Sequence, residues 1–210
     1  MTVTAIEPVT RHKMRVSIDG EPAFVFTDRE IRDWQLTEEM ELDADKEKAL
    51  TQHVSREAAR MAMNLLLKRD YGREELYRKL KDKGFGDYFA QQGIAYVISY
   101  HYVDDERYAR QMAASRKGTV SRKMLINKMK QKGLADEVIR DALEAEEWND
   151  SESLYREIQR RFSSSEQIES LTDKERQKMI QSLMRKGYGY SDIRRAMRHF
   201  EEAEDEMLWN

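Results

Sequence analysis

LYRKLKDKGF (Leu76–Phe85), LINKMKQKGL (Leu125–Leu134) and MIQSLMRKGY (Met179–Tyr188) align without gaps, offset by 49 and then 54 residues. Their first apolar column is Leu76, Leu125 and Met179; the second is Tyr77, Ile126 and Ile180; the third is Leu80, Met129 and Leu183. Positions i, i+1 and i+4 fall on one face of a helix, so each segment is predicted to be helical and packed through that face. Each then ends in Lys-Gly and a large apolar residue: Lys83-Gly84-Phe85, Lys132-Gly133-Leu134 and Lys186-Gly187-Tyr188. Glycine suits a left-handed position after the last turn, lysine suits the negative end of the helix dipole, and the apolar residue can fold back on the helix.

The alignment extends downstream. Ala90, Ile139 and Ile193 correspond, then Gly93, Ala142 and Ala196, then Ile94, Leu143 and Met197. A small residue beside a large one is expected where two helices approach closely. Upstream of each segment lies another amphipathic stretch, at 58–68, 106–116 and 154–162. The unit is thus about three helices, repeated three times. The expected organisation is 1–54 as an N-terminal segment, 55–103 as repeat 1, 104–148 as repeat 2, and 149–210 as repeat 3 with an acidic C-terminal tail. In the third copy SSSEQIES (Ser163–Ser170) reads as a flexible polar joint.

Composition agrees with helix after helix. At 210 residues the chain suits one large domain or several small modules. Its charged fraction of 37% argues against a single deep core. The only prolines are Pro8 and Pro22, so proline is absent from Ala23 onward. The N-terminal segment differs: KMRVSIDGEPAFVF places Asp19-Gly20 between two strand-like runs, a short-hairpin signal. A short helix is expected over Thr27–Leu36, capped by Thr27 or Asp28, and another over Asp43–Val54. The fold class is therefore all-α, a tandem array of three three-helix repeats with a small N-terminal β-hairpin.

Cysteine is absent, which excludes disulfides, thiolate metal sites and cysteine nucleophiles. No signal-peptide pattern and no bilayer-length apolar run is present, so the chain is expected to be cytoplasmic and free of membrane. Val103-Asp104-Asp105-Glu106 reads as a helix start, with Asp104 as cap and acids in the first turn, rather than as a metal or acid–base pair. His12, His53, His101 and His199 are scattered without ligand spacing and are expected at the surface or at helix ends. There is no phosphate-binding glycine loop and no nucleophile elbow. The ten tyrosines and 12 methionines read as core fillers. No catalytic, cofactor or metal site is expected, and no enzyme activity.

Net charge is −3, but it is unevenly spread. Residues 1–54 carry −5, 55–103 carry +3, 104–148 carry +1 and 149–210 carry −2. Between Glu106 and Asp136 stand nine basic residues and no acid: Arg107, Arg110, Arg116, Lys117, Arg122, Lys123, Lys128, Lys130 and Lys132. Interleaved with Leu125, Ile126 and Met129, those over Ser121–Lys132 form an amphipathic helix that offers cations to phosphate or to an acidic protein surface.

The repeated helix ending in Lys-Gly-apolar, together with Tyr102-Val103-Asp104-Asp105-Glu106-Arg107-Tyr108-Ala109, resembles the RecX family, bacterial regulators of the RecA recombinase. Ala59-Arg60-Met61-Ala62, Leu65-Leu66 and Arg73-Glu74-Glu75-Leu76 add to the likeness, which spans roughly residues 55–201. The resemblance implies tandem helix-turn-helix-like repeats, no cofactor and no catalysis. It implies binding to the RecA nucleoprotein filament, with its single- or double-stranded DNA, and lower RecA ATPase, strand exchange and co-protease activity in recombination and the SOS response; the chain is expected to be a monomer. The nine cations are assigned to filament binding by charge pattern alone. Two other classes remain: a stand-alone helix-turn-helix-type DNA-binding protein, against which the net charge weighs, and a scaffold for acidic proteins.

Overall fold

The structure, a computed structural model, describes the backbone of residues 1–208 and the side chains of residues 1–200. The chain divides into two compact units, Met1–Asp105 and Glu106–Asn210.

The first unit begins with an antiparallel sheet of β1 (Thr2–Thr10), β2 (Lys13–Ile18), β3 (Glu21–Thr27) and β4 (Met40–Glu41), in the order β3-β2-β1-β4. The expected hairpin is its β2–β3 pair. Asp19 and Gly20 have φ of 50° and 88°, the pair of left-handed conformations that matches the twist of the flanking strands. The sheet is larger than the hairpin: the Asp19 carboxylate accepts from the Thr2 N–H at 2.7 Å, and the Thr4 hydroxyl accepts from the Gly20 N–H at 3.0 Å, tying β1 to the turn. Pro8 is tolerated in β1 because β4 pairs only with Thr2 and Val3, leaving the outer edge beside Pro8 with no ladder to interrupt. Thr27 caps α1 (Asp28–Asp33) in a reciprocal capping box with Glu30.

Val3, Val16, Ile18, Phe24 and Phe26 point from one face of this sheet onto Leu50, Val54 and Phe89. Leu50 and Val54 belong to α2 (Ala44–Leu66), a single helix of 23 residues that runs unbroken through the expected boundary between 54 and 55. The two amphipathic stretches read separately, Asp43–Val54 and 58–68, thus lie on one rod. Its first turns pack on the sheet, and Ala62 and Leu65 enter a second core with Leu76, Leu80, Ala90, Ile94 and Val97. That core is closed by α3 (Arg73–Asp82) and α4 (Asp87–Ser99). The small-residue column has its expected use here, since a Cβ on Gly93 would stand 2.9 Å from the Ala58 carbonyl carbon.

The second unit contains α5 (Asp105–Arg116, whose first residue ends unit one), α6 (Arg122–Gln131), α7 (Asp136–Ala145), α8 (Ser151–Gln159), α9 (Ser165–Glu169), α10 (Asp173–Arg185) and α11 (Tyr190–Leu208). Ala109, Ala113, Leu125, Met129, Ile139 and Leu143 form one core; Leu154, Ile158, Ile168, Leu183, Ile193 and Met197 form another. The joint Ser163–Ser170 is not a flexible linker. It contains α9, and Ile168 is completely buried, so one apolar residue in a polar run anchors it. The side chains of the acidic tail, residues 201–210, lie outside the described residues.

All three repeats end their middle helix in the same way. Gly84, Gly133 and Gly187 have φ of 95°, 83° and 95°. Their N–H groups donate to Lys81, Lys130 and Met184 at 2.9 Å, and the next residues, Phe85, Leu134 and Tyr188, donate to Leu80, Met129 and Leu183 at 3.2 to 3.3 Å. This paired closure satisfies carbonyls that the last turn leaves open.

Candidate functional site

Arg107, Arg110 and Arg116 lie on α5, Lys117 in the turn after it, Arg122, Lys123, Lys128 and Lys130 on α6, and Lys132 at the α6 C-cap. Eight are exposed and Lys132 is half-buried, while Leu125 and Met129 of the same helix are fully buried. The amphipathic reading of α6 therefore matches its packing.

The stretch is free of acids in sequence but not in space. Asp136 stands 2.7 Å from Lys130, Glu106 3.8 Å from Arg110, and Glu146 3.9 Å from Lys117. Arg107 and Lys132 are also engaged. Arg116, Arg122, Lys123 and Lys128 have no carboxylate at salt-bridge distance among the described residues. The net positive surface is carried by these four.

Two of them sit at an unfavourable place. Arg122 and Lys123 occupy the first turn of α6, where the helix dipole is positive and where no acid of the helix itself lies. The fold offsets this from elsewhere. The Asp150 carboxylate accepts from the Arg122 N–H at 2.6 Å, and the Ser121 hydroxyl accepts from the Met124 N–H at 3.2 Å. Ser121 is itself buried and donates to the Lys186 carbonyl, so the start of α6 is locked to the end of α10. The closeness is tight enough that a Cβ on Gly187 would stand 2.7 Å from the Lys123 Cβ. Two cations are thus held rigidly at a positive helix end, with the Asp150 carboxylate serving that end from outside the helix.

Asp105 plays for α3 the part that Asp150 plays for α6. Its carboxylate accepts from the Arg73 N–H at 2.8 Å, where the N-cap Gly72 has no side chain to offer. Asp104 and Asp105 are expected at the start of their own helix; the reach of Asp105 back over 32 residues is not local and leaves no pattern in the sequence.

Behind the cationic face, α8 and α10 are joined by a charge cluster. Glu157, 13% exposed, receives Lys186 at 2.5 Å, Arg160 at 2.8 Å and Arg161 at 3.7 Å. Burial pushes its carboxyl up, but the three cations outweigh burial and hold it below the usual carboxylate range.

His53 and several tyrosines depart from expectation, whereas His12, His101 and His199 are exposed as expected. His53 is neither at the surface nor at a helix end: it lies within α2, half-buried against Trp34 and Phe26 at ring distances of 5.3 and 6.0 Å. Tyr71 and Tyr188 fill cores, but Tyr88, Tyr96, Tyr100, Tyr102 and Tyr190 are exposed. Periodicity assigns a tyrosine to a face; it does not reveal whether another element covers that face. Among the described residues no group of three or more His, Asp or Glu is disposed to hold a metal ion, and no helix is long and apolar enough to cross a membrane.

Comparison with known proteins agrees with this repeat geometry. Residues 104–143 match the family model described as RecX, second three-helix domain, and residues 149–197 match RecX, third three-helix domain. The regulatory protein RecX of Vibrio campbellii is 32% identical over 139 residues, covering 65% of this chain and 86% of the relative. That of Clostridium botulinum (strain Alaska E43 / Type E3) is 26% identical over 196 residues, covering 91% of this chain and 92% of the relative. A crystal structure of a regulatory protein RecX superposes with a TM-score of 0.58 at 20% identity, over 91% of this chain and 96% of the other. RecX from Lactobacillus salivarius gives 0.56 at 20% identity, over 71% and 97%.

Proposed function

The chain belongs to the RecX family of regulatory proteins, and from that membership we propose that it binds the RecA nucleoprotein filament and lowers RecA ATPase, strand exchange and co-protease activity. It does so by occupancy rather than catalysis, as a monomer in the cytoplasm. The observation that carries the reading is the set of four cations, Arg116, Arg122, Lys123 and Lys128, exposed on α5 and α6 with no carboxylate at salt-bridge distance among the described residues. A nucleoprotein filament carries DNA phosphates at regular spacing, and a cationic face gains affinity by releasing the counterions that such a polyanion holds.

The test is RecA ATPase on single-stranded DNA against increasing amounts of this protein at two salt concentrations. Wild type is expected to inhibit, and Arg122→Glu with Lys123→Glu to inhibit less while retaining the helical circular dichroism spectrum. Arg194→Glu with Arg195→Glu is the comparison. Arg195 is already paired with Asp192 at 3.2 Å and Arg194 faces the Tyr190 ring, so reversal there is expected to matter less. Equal inhibition by wild type and the Arg122/Lys123 variant rejects the cationic face. No inhibition by wild type rejects RecA as the target.

A further inference from the structure

The first unit carries an exposed aromatic surface that neither its core nor the cationic face explains. Tyr96 lies on the outer side of α4, Tyr100 at its C-cap and Tyr102 two residues on. They are 44%, 57% and 48% exposed. Their rings form a continuous series: Tyr96 to Tyr100 is 4.9 Å between centroids, and Tyr100 to Tyr102 is 6.0 Å with planes within 18° of parallel. Tyr96 also lines an open groove of about 810 Å³ between α2 and α4. Ala59, Met63 and Leu67 form its apolar floor and side, and Arg56 and Arg60 its cationic rim. Leu67 is 83% exposed, which marks the groove as unfilled. Arg60 is paired with Glu57, whereas Arg56 has no ion-pair partner among the described residues.

Three neighbouring tyrosine faces beside a cationic rim, in a block of net charge +3, match the chemistry of an unpaired nucleic-acid strand. Such a strand presents flat bases that stack on any aromatic face and a phosphate backbone that arginine attracts. Paired bases are hidden within a duplex and offer nothing to a tyrosine face. An acidic peptide would be drawn by Arg56 and Arg60, but it gives three adjacent rings nothing of matching shape.

We propose that Tyr96, Tyr100 and Tyr102, with the α2/α4 groove and Arg56, form a stacking platform for single-stranded nucleic acid. The site lies in a different unit from the α5/α6 cations and contacts bases rather than phosphates alone. It deepens the filament reading, since a nucleoprotein filament contains a single strand, but its test needs no RecA.

The experiment is fluorescence anisotropy of a fluorescein-labelled oligothymidylate titrated with the full chain, at several salt concentrations. Tyr96→Ala, Tyr100→Ala and Tyr102→Ala are each expected to weaken binding roughly 5- to 100-fold, the range of one lost base stack, with the salt slope unchanged. The Tyr→Phe variants keep the ring and are expected to bind within about 2-fold of wild type. Arg56→Ala is expected to lower the log–log salt slope by about 0.7, the value of one single-strand phosphate contact. Binding to a fluorescein-labelled duplex should not respond to the tyrosine variants. Because these side chains are exposed, circular dichroism should report an unaltered fold. Alanine variants that bind the oligothymidylate like wild type overturn the proposal, as do phenylalanine variants as weak as alanine. So does a loss of RecA inhibition with oligothymidylate binding intact, which would assign the rings to a protein contact. Loss of oligothymidylate binding with ATPase inhibition intact supports the platform and separates it from the cationic face.

Discussion

The Asp150 carboxylate accepts a 2.6 Å hydrogen bond from the Arg122 N–H, 28 residues earlier in the chain. The first repeat contains the same bond, from Arg73 to Asp105 at 2.8 Å. In both, the acid stands where the next repeat begins and supplies an anion to the start of the preceding middle helix. In the third repeat the middle helix is capped by its own Thr172 and Glu175 in a reciprocal box. The second and third repeats thus each lend a carboxylate to the one before, while the third caps its own middle helix.

Asp150→Ala should therefore lower stability by about 1 kcal/mol, the usual cost of losing an N-terminal helix cap. Asp150→Asn should recover part of it, because an amide oxygen still accepts from the Arg122 N–H. Urea denaturation followed by circular dichroism measures both. An unchanged midpoint for Asp150→Ala would show that solvent serves the helix start equally well.

Gly133 and Gly187 share a left-handed backbone. Gly133→Val is expected to cost roughly 1 kcal/mol or more through backbone strain. Gly187→Ala adds a collision, since its Cβ would stand 2.8 Å from the Ser121 Oγ and 2.7 Å from the Lys123 Cβ. Thermal melting of Gly133→Ala beside Gly187→Ala separates the two contributions, and the Gly187 variant should be the less stable. Equal losses would mean that the contact with α6 gives way freely.

What could be read from the sequence follows from what is local or periodic. The three Lys-Gly-apolar closures, the Asp19-Gly20 turn and the buried columns headed by Leu76, Leu125 and Met179 all lie within a few residues of their cause. Strand β1 is hard to read because Glu7 and Pro8 interrupt its alternation, even though its main partner β2 begins only two residues after it ends. Helix α9 is hard to read because a single Ile168 decides it. At the cationic face the residues were legible but their pairing was not. Asp136 and Glu106 flank the stretch and fold back onto Lys130 and Arg110, while Glu146 reaches Lys117 from the end of α7. The tyrosine series was invisible for a related reason: a ring's exposure depends on which helix fails to cover it.

Glu157 gives the third repeat a pH dependence of predictable sign. Its carboxyl ionises more readily folded than unfolded, because Lys186, Arg160 and Arg161 surround it despite burial. The folded state therefore binds fewer protons. The contribution is complete above the ordinary carboxyl value of about 4.3 and is lost as pH falls through the lower folded value. Glu157→Gln should cost about 1.5–3 kcal/mol at neutral pH, the range for hydrogen bonds to a charged group. It should also show a shallower loss of stability on acidification. Parallel acid titrations of wild type and variant would refute this.

The last prediction concerns which cations of the α5/α6 face engage a polyanion. A cation already facing a carboxylate forms a locally neutral pair and displaces few counterions when phosphate approaches. Lys130 with Asp136 and Arg110 with Glu106 are such pairs, whereas Arg122 and Lys128 stand without one among the described residues. Arg122→Ala with Lys128→Ala should lower the log–log salt slope of filament binding by about 1.4 if both touch single-strand phosphate. Arg110→Ala with Lys130→Ala, an equal change in formal charge, should lower it by less. The measurement is binding of the full chain to RecA assembled on single-stranded DNA, over a salt series. If both double variants shift the slope alike, net charge alone governs the interaction and the pairing seen at Lys130 and Arg110 is broken on binding.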